Sequence, residues 1–129
     1  MVEPFVTDLK ARPGIKSLGS QFHEVRPGAL INAYVALEKW LNANTDLAER
    51  FVRGLYKGID WVAAHPQDAR QLLTKYTRLK PDVVTKIAIK DFTKNVNMEE
   101  LQWTSDLLHK RGWIDKKQDV SKFVYRTAR

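Results

Sequence analysis

The chain has 129 residues, of which 43% are hydrophobic and 29% charged, and its net charge is +7. This size and composition suit one soluble domain with an ordinary core, and they argue against disorder and against several domains. The absence of cysteine excludes disulfides, thiol nucleophiles and cysteine-ligated zinc. The longest stretch without a polar residue, 33–37, is far shorter than the roughly 20 residues that span a bilayer, so we expect no membrane insertion.

The first part of the chain, up to about residue 36, is rich in glycine and proline with short apolar runs between them. This pattern is typical of strands and turns. Residues 29–36 form the longest of these runs and predict a buried strand. We therefore expect a single or partial domain over residues 1–129, with a strand-and-turn segment at 1–36 and a helical segment at 37–129.

Residues 46–64 predict the longest helix, with Asn44 or Thr45 as its N-cap. Apolar residues recur along it at intervals of three and four and predict one stripe that faces the core. The members of this stripe are Leu47, Phe51, Leu55, Ile59 and Val62.

Three further helices and a final turn are predicted from their boundary residues. Pro66 and Pro81 each suit the first turn of a helix, and the second of these helices is short. Asn97 predicts an N-cap, Gly112 a left-handed stop, and Asp119 the start of a last turn. The apolar residues expected inside are Leu72, Leu73, Tyr76, Val83, Val84, Ile87, Leu101, Leu107, Leu108, Val120, Phe123 and Val124.

No catalytic, cofactor or metal motif is found. His23, His65 and His109 are far apart, and none has another histidine at a spacing used by metal sites. The glycine-rich stretch 12–19 lacks the spacing of a phosphate-binding loop. We therefore expect no enzyme activity, no cofactor, no metal and no catalytic residue. The tryptophans Trp40, Trp61 and Trp103 are predicted to pack in or beside the core, and Trp113 to fold back after the stop at Gly112.

The positive charge is concentrated late in the sequence. Residues 1–65 carry a net charge of +1, residues 66–129 carry +6, and residues 109–129 alone carry +5. Asp115 and Asp119 interrupt this tail, so a solvated surface is favoured over nucleic-acid binding.

Short segments at 2–4, 30–36, 40–44, 47–52, 58–69, 107–114 and 119–120 occur in an order that indicates a family. The most specific is 58–69, which reads Gly-Ile-Asp-Trp-Val-Ala-Ala-His-Pro-Gln-Asp-Ala. Together they resemble the C-terminal part of the solute-binding proteins of bacterial ABC importers for nitrate, taurine, aliphatic sulfonates and thiamine-precursor pyrimidines. The chain departs from that family at 44–46, where Asn-Thr-Asp stands in place of the usual Asn-Pro-Glu.

The resemblance implies a mainly α chain with a short β portion near the N-terminus, as a C-terminal fragment of a two-lobed α/β periplasmic-binding (type II) fold. It implies delivery of a small solute, anionic or nitrogenous, to an ABC permease and its ATPase. In such proteins the solute lies between the lobes, and the resemblance places Glu3 at that cleft, with Asn32 and Tyr34 as further contacts. No signal peptide is evident at the start of the chain. The implied location is therefore the periplasm only if the chain is cut from an exported precursor.

Two alternatives and one assembly state accompany this interpretation. The first alternative is a small basic helical module that binds nucleic acid or regulates another protein. The second is an enzyme or enzyme subunit. For the solute-binding interpretation we expect no nucleic-acid partner. Family members are more than twice this length, so the stripe on the long helix would lack its usual cover. We therefore expect a homodimer.

Overall fold

The computed structural model of the chain describes residues 3, 5–19, 24, 26–89 and 92–125. The described residues include the helices α1 (Phe5–Lys10), α2 (Glu38–Ala43), α3 (Thr45–Ala64), α4 (Pro66–Tyr76), α5 (Pro81–Val84) and α6 (Met98–Lys110), followed by a 3₁₀ turn at Val120–Lys122. None of the described residues lies in a β-strand. Within this described part, no helix is both long and apolar enough to cross a membrane.

The chain divides into two compact units. Unit 1 comprises Met1–Gly19 and Gly54–Thr93, and unit 2 comprises Ser20–Arg53 and Lys94–Arg129. Helix α3 contributes to both, because the boundary falls inside it. Among the described residues, those buried in unit 1 are Ala69, Val83, Val84 and Ile87, and those buried in unit 2 are Ala48, Glu100, Ser105 and Val120.

The predicted fold class, with a short β portion taken from a two-lobed α/β fold, is wrong for this chain. Residues 29–36, predicted as a buried strand, form neither strand nor helix. Residues 31–36 are exposed, with Val35 at 93%, whereas Ala29 and Leu30 are half-buried. A strand is stable only when a neighbouring strand pairs with its backbone, and no described segment supplies that partner. Apolar composition alone therefore predicted the wrong structure.

The strand-and-turn expectation also fails near the N-terminus, where α1 is helical. The Glu3 carboxylate accepts a hydrogen bond from the backbone N–H of Thr7 (3.2 Å), and Asp8 pairs with Arg12 one turn later (2.7 Å). Such contacts between residues four apart support a short helix. Gly14 follows at φ 79°, a left-handed conformation that glycine adopts without strain.

Helix α3 confirms the predicted long helix, but the predicted core stripe fails at its start, where Leu47 and Phe51 are each 50% exposed. Leu55, Ile59 and Val62 are half-buried, and the buried residue of the helix is Ala48. Asn44 and Thr45, predicted as N-caps, donate their side-chain hydrogen bonds backwards into α2, to the carbonyl oxygens of Trp40 (2.9 Å) and Leu41 (3.2 Å). They close α2 instead of capping α3.

Helices α4 and α5 begin at the two predicted prolines and pack against each other. The backbone N–H groups of Val83 and Val84 both donate to the carbonyl oxygen of Lys80 at 3.0 Å. Val83, Val84 and Ile87 are buried, as the sequence predicts, with Val84 only 1% exposed. Removing a side chain of this size from water stabilises a fold by roughly 1.5 to 3 kcal/mol.

Helix α6 confirms both predicted ends. The Asn97 side chain accepts hydrogen bonds from the N–H groups of Glu99 (3.1 Å) and Glu100 (3.2 Å). At the other end Gly112 has φ 72°, and its N–H and that of Trp113 return to the carbonyls of the last helical turn, which is the Schellman arrangement. The predicted fold-back of the Trp113 ring is wrong, since this residue is 77% exposed.

The 3₁₀ turn after α6 is held in place by Gln102. Its side-chain nitrogen donates to the carbonyl of Gln118 (2.9 Å), and its oxygen accepts from the N–H of Val120 (3.2 Å). The turn begins at Asp119, whose carboxylate accepts hydrogen bonds from the hydroxyl and the N–H of Ser121. These bonds favour the ionised form and hold the pKa of Asp119 below its ordinary value. Val120 is buried as predicted, whereas Phe123 is 68% exposed.

Candidate solute-binding groove

The three residues predicted to contact a solute are not gathered in one unit. Glu3 belongs to unit 1, where it is half-buried and accepts the hydrogen bond from Thr7 described above. Asn32 and Tyr34 belong to unit 2 and are exposed. The Tyr34 ring packs edge-on against Phe51, with ring centres 5.2 Å apart. As solute contacts, Glu3, Asn32 and Tyr34 stay predictions.

Unit 1 contains a groove that the sequence did not reveal. It encloses about 310 Å³ and is lined by Ile59, Val62, Ala63, Pro66, Arg70, Ile89 and Phe92. Its volume lies at the lower end of the range for small-molecule sites, which runs from roughly 300 to 1,000 Å³. Its lining consists of six apolar residues and one charged residue, Arg70, and one of the apolar residues, Phe92, is 59% exposed.

The junction between α3 and α4 forms most of this groove. Ile59, Val62 and Ala63 are three and four residues apart, so they share one face of α3 near its end. His65 ends α3 because the residue before a proline avoids the helical region, and Pro66 then begins α4. Arg70 lies one turn into α4, on the same face as Pro66.

The Arg70 guanidinium is held by backbone carbonyls. Its Nε donates to the carbonyl of Ile87 (2.9 Å) and its Nη1 to the carbonyl of Pro66 (3.3 Å). Among the described residues no carboxylate pairs with it. Arginine has five N–H donors, and the described residues accept from two of them, so three are not used within the described part of the chain. A fixed guanidinium with spare donors beside apolar side chains suits an anion that carries a short apolar group.

A second charged cluster lies in unit 2, and its charges are already paired. Nε of Arg26 lies 2.9 Å from Oε2 of Glu100 and Nη2 lies 3.8 Å from Oε1 of Glu99, while the guanidinium stacks over the Trp103 ring at 4.9 Å. The hydrogen bond to Glu100 is the main cause that raises the pKa of Arg26. Because Glu100 is buried and satisfied by this arginine, the cluster connects residue 26 to α6 and offers little to a ligand.

The histidines make structural contacts. His65 stacks on Trp61 with ring centres 5.1 Å apart, and its Nδ1 is 3.0 Å from the carbonyl of that residue. Nδ1 of His109 is 3.2 Å from the carbonyl of Ile114, and His23 lies outside the described residues. In the part of the chain that the structure describes, no three histidine or acidic side chains are grouped to hold a metal ion.

Sequence reasoning missed Arg70, Ile89 and Phe92 as site residues. The position of Arg70 could have been predicted from neighbouring residues. An arginine four residues after the first proline of a helix can donate a hydrogen bond to the carbonyl of that proline. The sequence does not predict that Ile89 and Phe92 line the groove, because this depends on the path of the chain after α5.

Comparison of the chain with family models, with curated proteins and with solved structures gave no match. The groove and its guanidinium are therefore the features of this chain from which a binding function is inferred.

Proposed function

We propose that this chain is the C-terminal portion of a solute-binding protein that delivers a small anionic solute to an ABC importer. One observation carries the proposal. The segment 58–69, in which the resemblance to that family is most specific, forms one wall of the groove, and Arg70 follows it directly. The proposal concerns function and keeps none of the α/β fold that the resemblance implied.

The chemistry of the groove favours an anionic solute over a nitrogenous cation. The spare N–H donors of Arg70 can bind two oxygens of a sulfonate or carboxylate in parallel, whereas its positive charge repels an amine. Ile59, Val62 and Phe92 offer apolar surface beside the guanidinium. Each methylene of an alkyl chain buried there adds about 0.8 kcal/mol of binding free energy. A short aliphatic sulfonate combines both features.

The partners follow from the proposed role. An importer distinguishes loaded from empty binding protein when the solute shifts the population of a conformation that the permease recognises. The partners are therefore the solute, the permease and the ATPase that drives it, and the proposed location is the periplasm of a cell that exports the parent protein.

The proposal is tested by titrating the 129-residue chain with 1-butanesulfonate, followed by isothermal titration calorimetry. We expect saturable binding, and tighter binding for butanesulfonate than for ethanesulfonate because of the two additional methylenes. Arg70→Gln should weaken binding at least tenfold. The matched control is Arg78→Gln, which removes an exposed arginine of unit 1 that does not line the groove. Absence of saturable binding, or equal loss in both variants, contradicts the proposal.

A second candidate function, a basic nucleic-acid-binding module, is favoured by the exposed cations near the C-terminus. Lys110, Arg111, Lys116, Lys117 and Lys122 are all exposed. Affinity for random duplex DNA that falls steeply between 50 and 200 mM salt, conditions over which phosphate contacts weaken markedly, would support this module. Weak binding at low salt would argue against it.

A further inference from the structure

We infer that α3 contains a hinge at Gly54 and Gly58, where the helix opens and bends while the parts before and after the two glycines stay helical. The boundary between the two units falls at Gly54, inside this helix. The groove residues that α3 supplies all follow Gly58, so the inference goes beyond solute binding and does not depend on it.

The two glycines lie in the interior of α3, away from both of its ends. They are four residues apart and therefore lie one turn apart on the same face. Glycine loses more conformational freedom on folding than any other residue, and each glycine in a helix interior lowers the helix-forming equilibrium roughly fivefold relative to alanine. The pair makes the middle of α3 its least stable part.

Packing does not explain why these two positions are glycine. Gly54 and Gly58 are exposed, and a Cβ added to either would meet open space among the described residues. Neither has a positive φ, so the backbone conformation does not require glycine. Alanine would fit at both positions, and the property that glycine adds is a weaker, more easily bent helix.

The parts of α3 on either side of the glycine pair are braced by side chains. Before the pair, Arg53 and Glu49 form a salt bridge (3.4 Å) between residues four apart, which supports a helix. After it, the His65 ring stacks on Trp61 at the end of the helix, with ring centres 5.1 Å apart. These contacts favour opening in the middle of α3 over fraying from its ends.

The path of the chain gives the glycine pair its place in the fold. The chain passes from one unit to the other after residues 19, 53 and 93. Residues 15–19 and 92–97 lie in neither helix nor strand, so among the described residues α3 is the regular element that crosses the boundary. A hinge needs a few residues that absorb changes in φ and ψ, and an uninterrupted helix supplies none. Gly54 and Gly58 supply them at this crossing.

The first test is amide hydrogen exchange of the 129-residue chain, measured residue by residue by NMR. Each helical N–H donates to the carbonyl four residues earlier, so opening at the glycine pair exposes the amides of residues 54–62. The variant combines Gly54→Ala and Gly58→Ala. The matched control is Lys57→Ala, because Lys57 is exposed and lies between the two glycines.

We expect the amides of 54–62 in the wild-type chain to exchange at least tenfold faster than those of 49–53 and 63–65, after correction for intrinsic rates. The double alanine variant should slow exchange at 54–62 by about 25-fold. Exchange in α6 should stay within twofold, and Lys57→Ala should change neither. Equal protection along wild-type α3, equally fast exchange at 63–65, or equal slowing in α6 overturns the inference.

The second test measures bending directly, by double electron–electron resonance. The chain has no cysteine, so spin labels can be attached through Arg50→Cys and Ala64→Cys, two exposed positions on opposite sides of the glycine pair. A straight helix separates these positions by about 21 Å along its axis. We expect the wild-type sequence to show a second population at shorter distance, which the double alanine variant lacks. A single narrow distribution without the alanine substitutions overturns the hinge.

Discussion

Two apolar stretches of similar composition have opposite surroundings in this molecule. Residues 83–87 contain Val83, Val84 and Ile87, which are 8%, 1% and 4% exposed. Residues 31–37 contain Val35 and Leu37, which are 93% and 79% exposed. The difference shows that burial depends on the elements available to pack against a segment more than on its own hydrophobicity.

The backbone explains the difference. In α5, Pro81 sets the first turn, and the amides of residues 83 and 84 donate to the carbonyl of Lys80, the residue just before the helix. The element then docks on α4 as a unit. Within the described part of the chain, no backbone hydrogen bond connects residues 30–36 to another segment. A segment of this kind needs a second chain or a neighbouring strand before its side chains can be buried.

The largest expected effect tests the buried side of this comparison. Val84→Ala removes two methyl groups from the most buried large side chain of the described residues and leaves a cavity between α4 and α5. We expect the free energy of unfolding to fall by about 2 kcal/mol. Chemical denaturation followed by circular dichroism measures this. A loss below about 0.5 kcal/mol would show that this core adds little to stability.

A smaller effect tests a boundary that depends on local contacts alone. Asn97→Ala removes the side-chain acceptor for two amides at the start of α6. A lost N-cap costs about 1 kcal/mol, whereas Asn97→Ser should restore most of it because serine is also a good N-cap. Equal stabilities of the alanine and serine variants would mean that water satisfies these amides equally well.

The smallest effect is expected on the exposed side of the comparison. Val35→Ala deletes the same two methyl groups as Val84→Ala, but at a position already open to water. At a concentration where the chain is monomeric, we expect a change below about 0.5 kcal/mol. A large cost would show that Val35 packs within its own chain.

The features that the sequence predicted correctly are those set by neighbouring residues. Asn97 and Gly112 marked the two ends of α6, and Pro66 and Pro81 marked the starts of α4 and α5, because capping and proline geometry act within one turn. The burial of Val84 was also predicted, since its helix had a recognisable start and a partner nearby in sequence.

The features that the sequence did not predict depend on distant segments. The run at 29–36 has the residues of a strand, but only a partner strand would make it one. The stripe on α3 has helical spacing, yet spacing does not show whether another element covers Leu47 and Phe51. The groove at Arg70 required the return of residues 89–92 to the α3–α4 junction, and no local pattern encodes that return.

The stop at Gly112 has a consequence for spectroscopy. The backbone turns at Gly112, and the ring of the next residue, Trp113, does not pack on the helix. Trp113 is therefore the most exposed of the described tryptophans, at 77% compared with 43% for Trp40 and 39% for Trp61. Lys110, Arg111, Lys116 and Lys117 lie close to it in sequence and are exposed. Their positive field concentrates anions around the ring. Iodide therefore quenches this indole more effectively than caesium does, and the difference provides an optical signal for the end of α6.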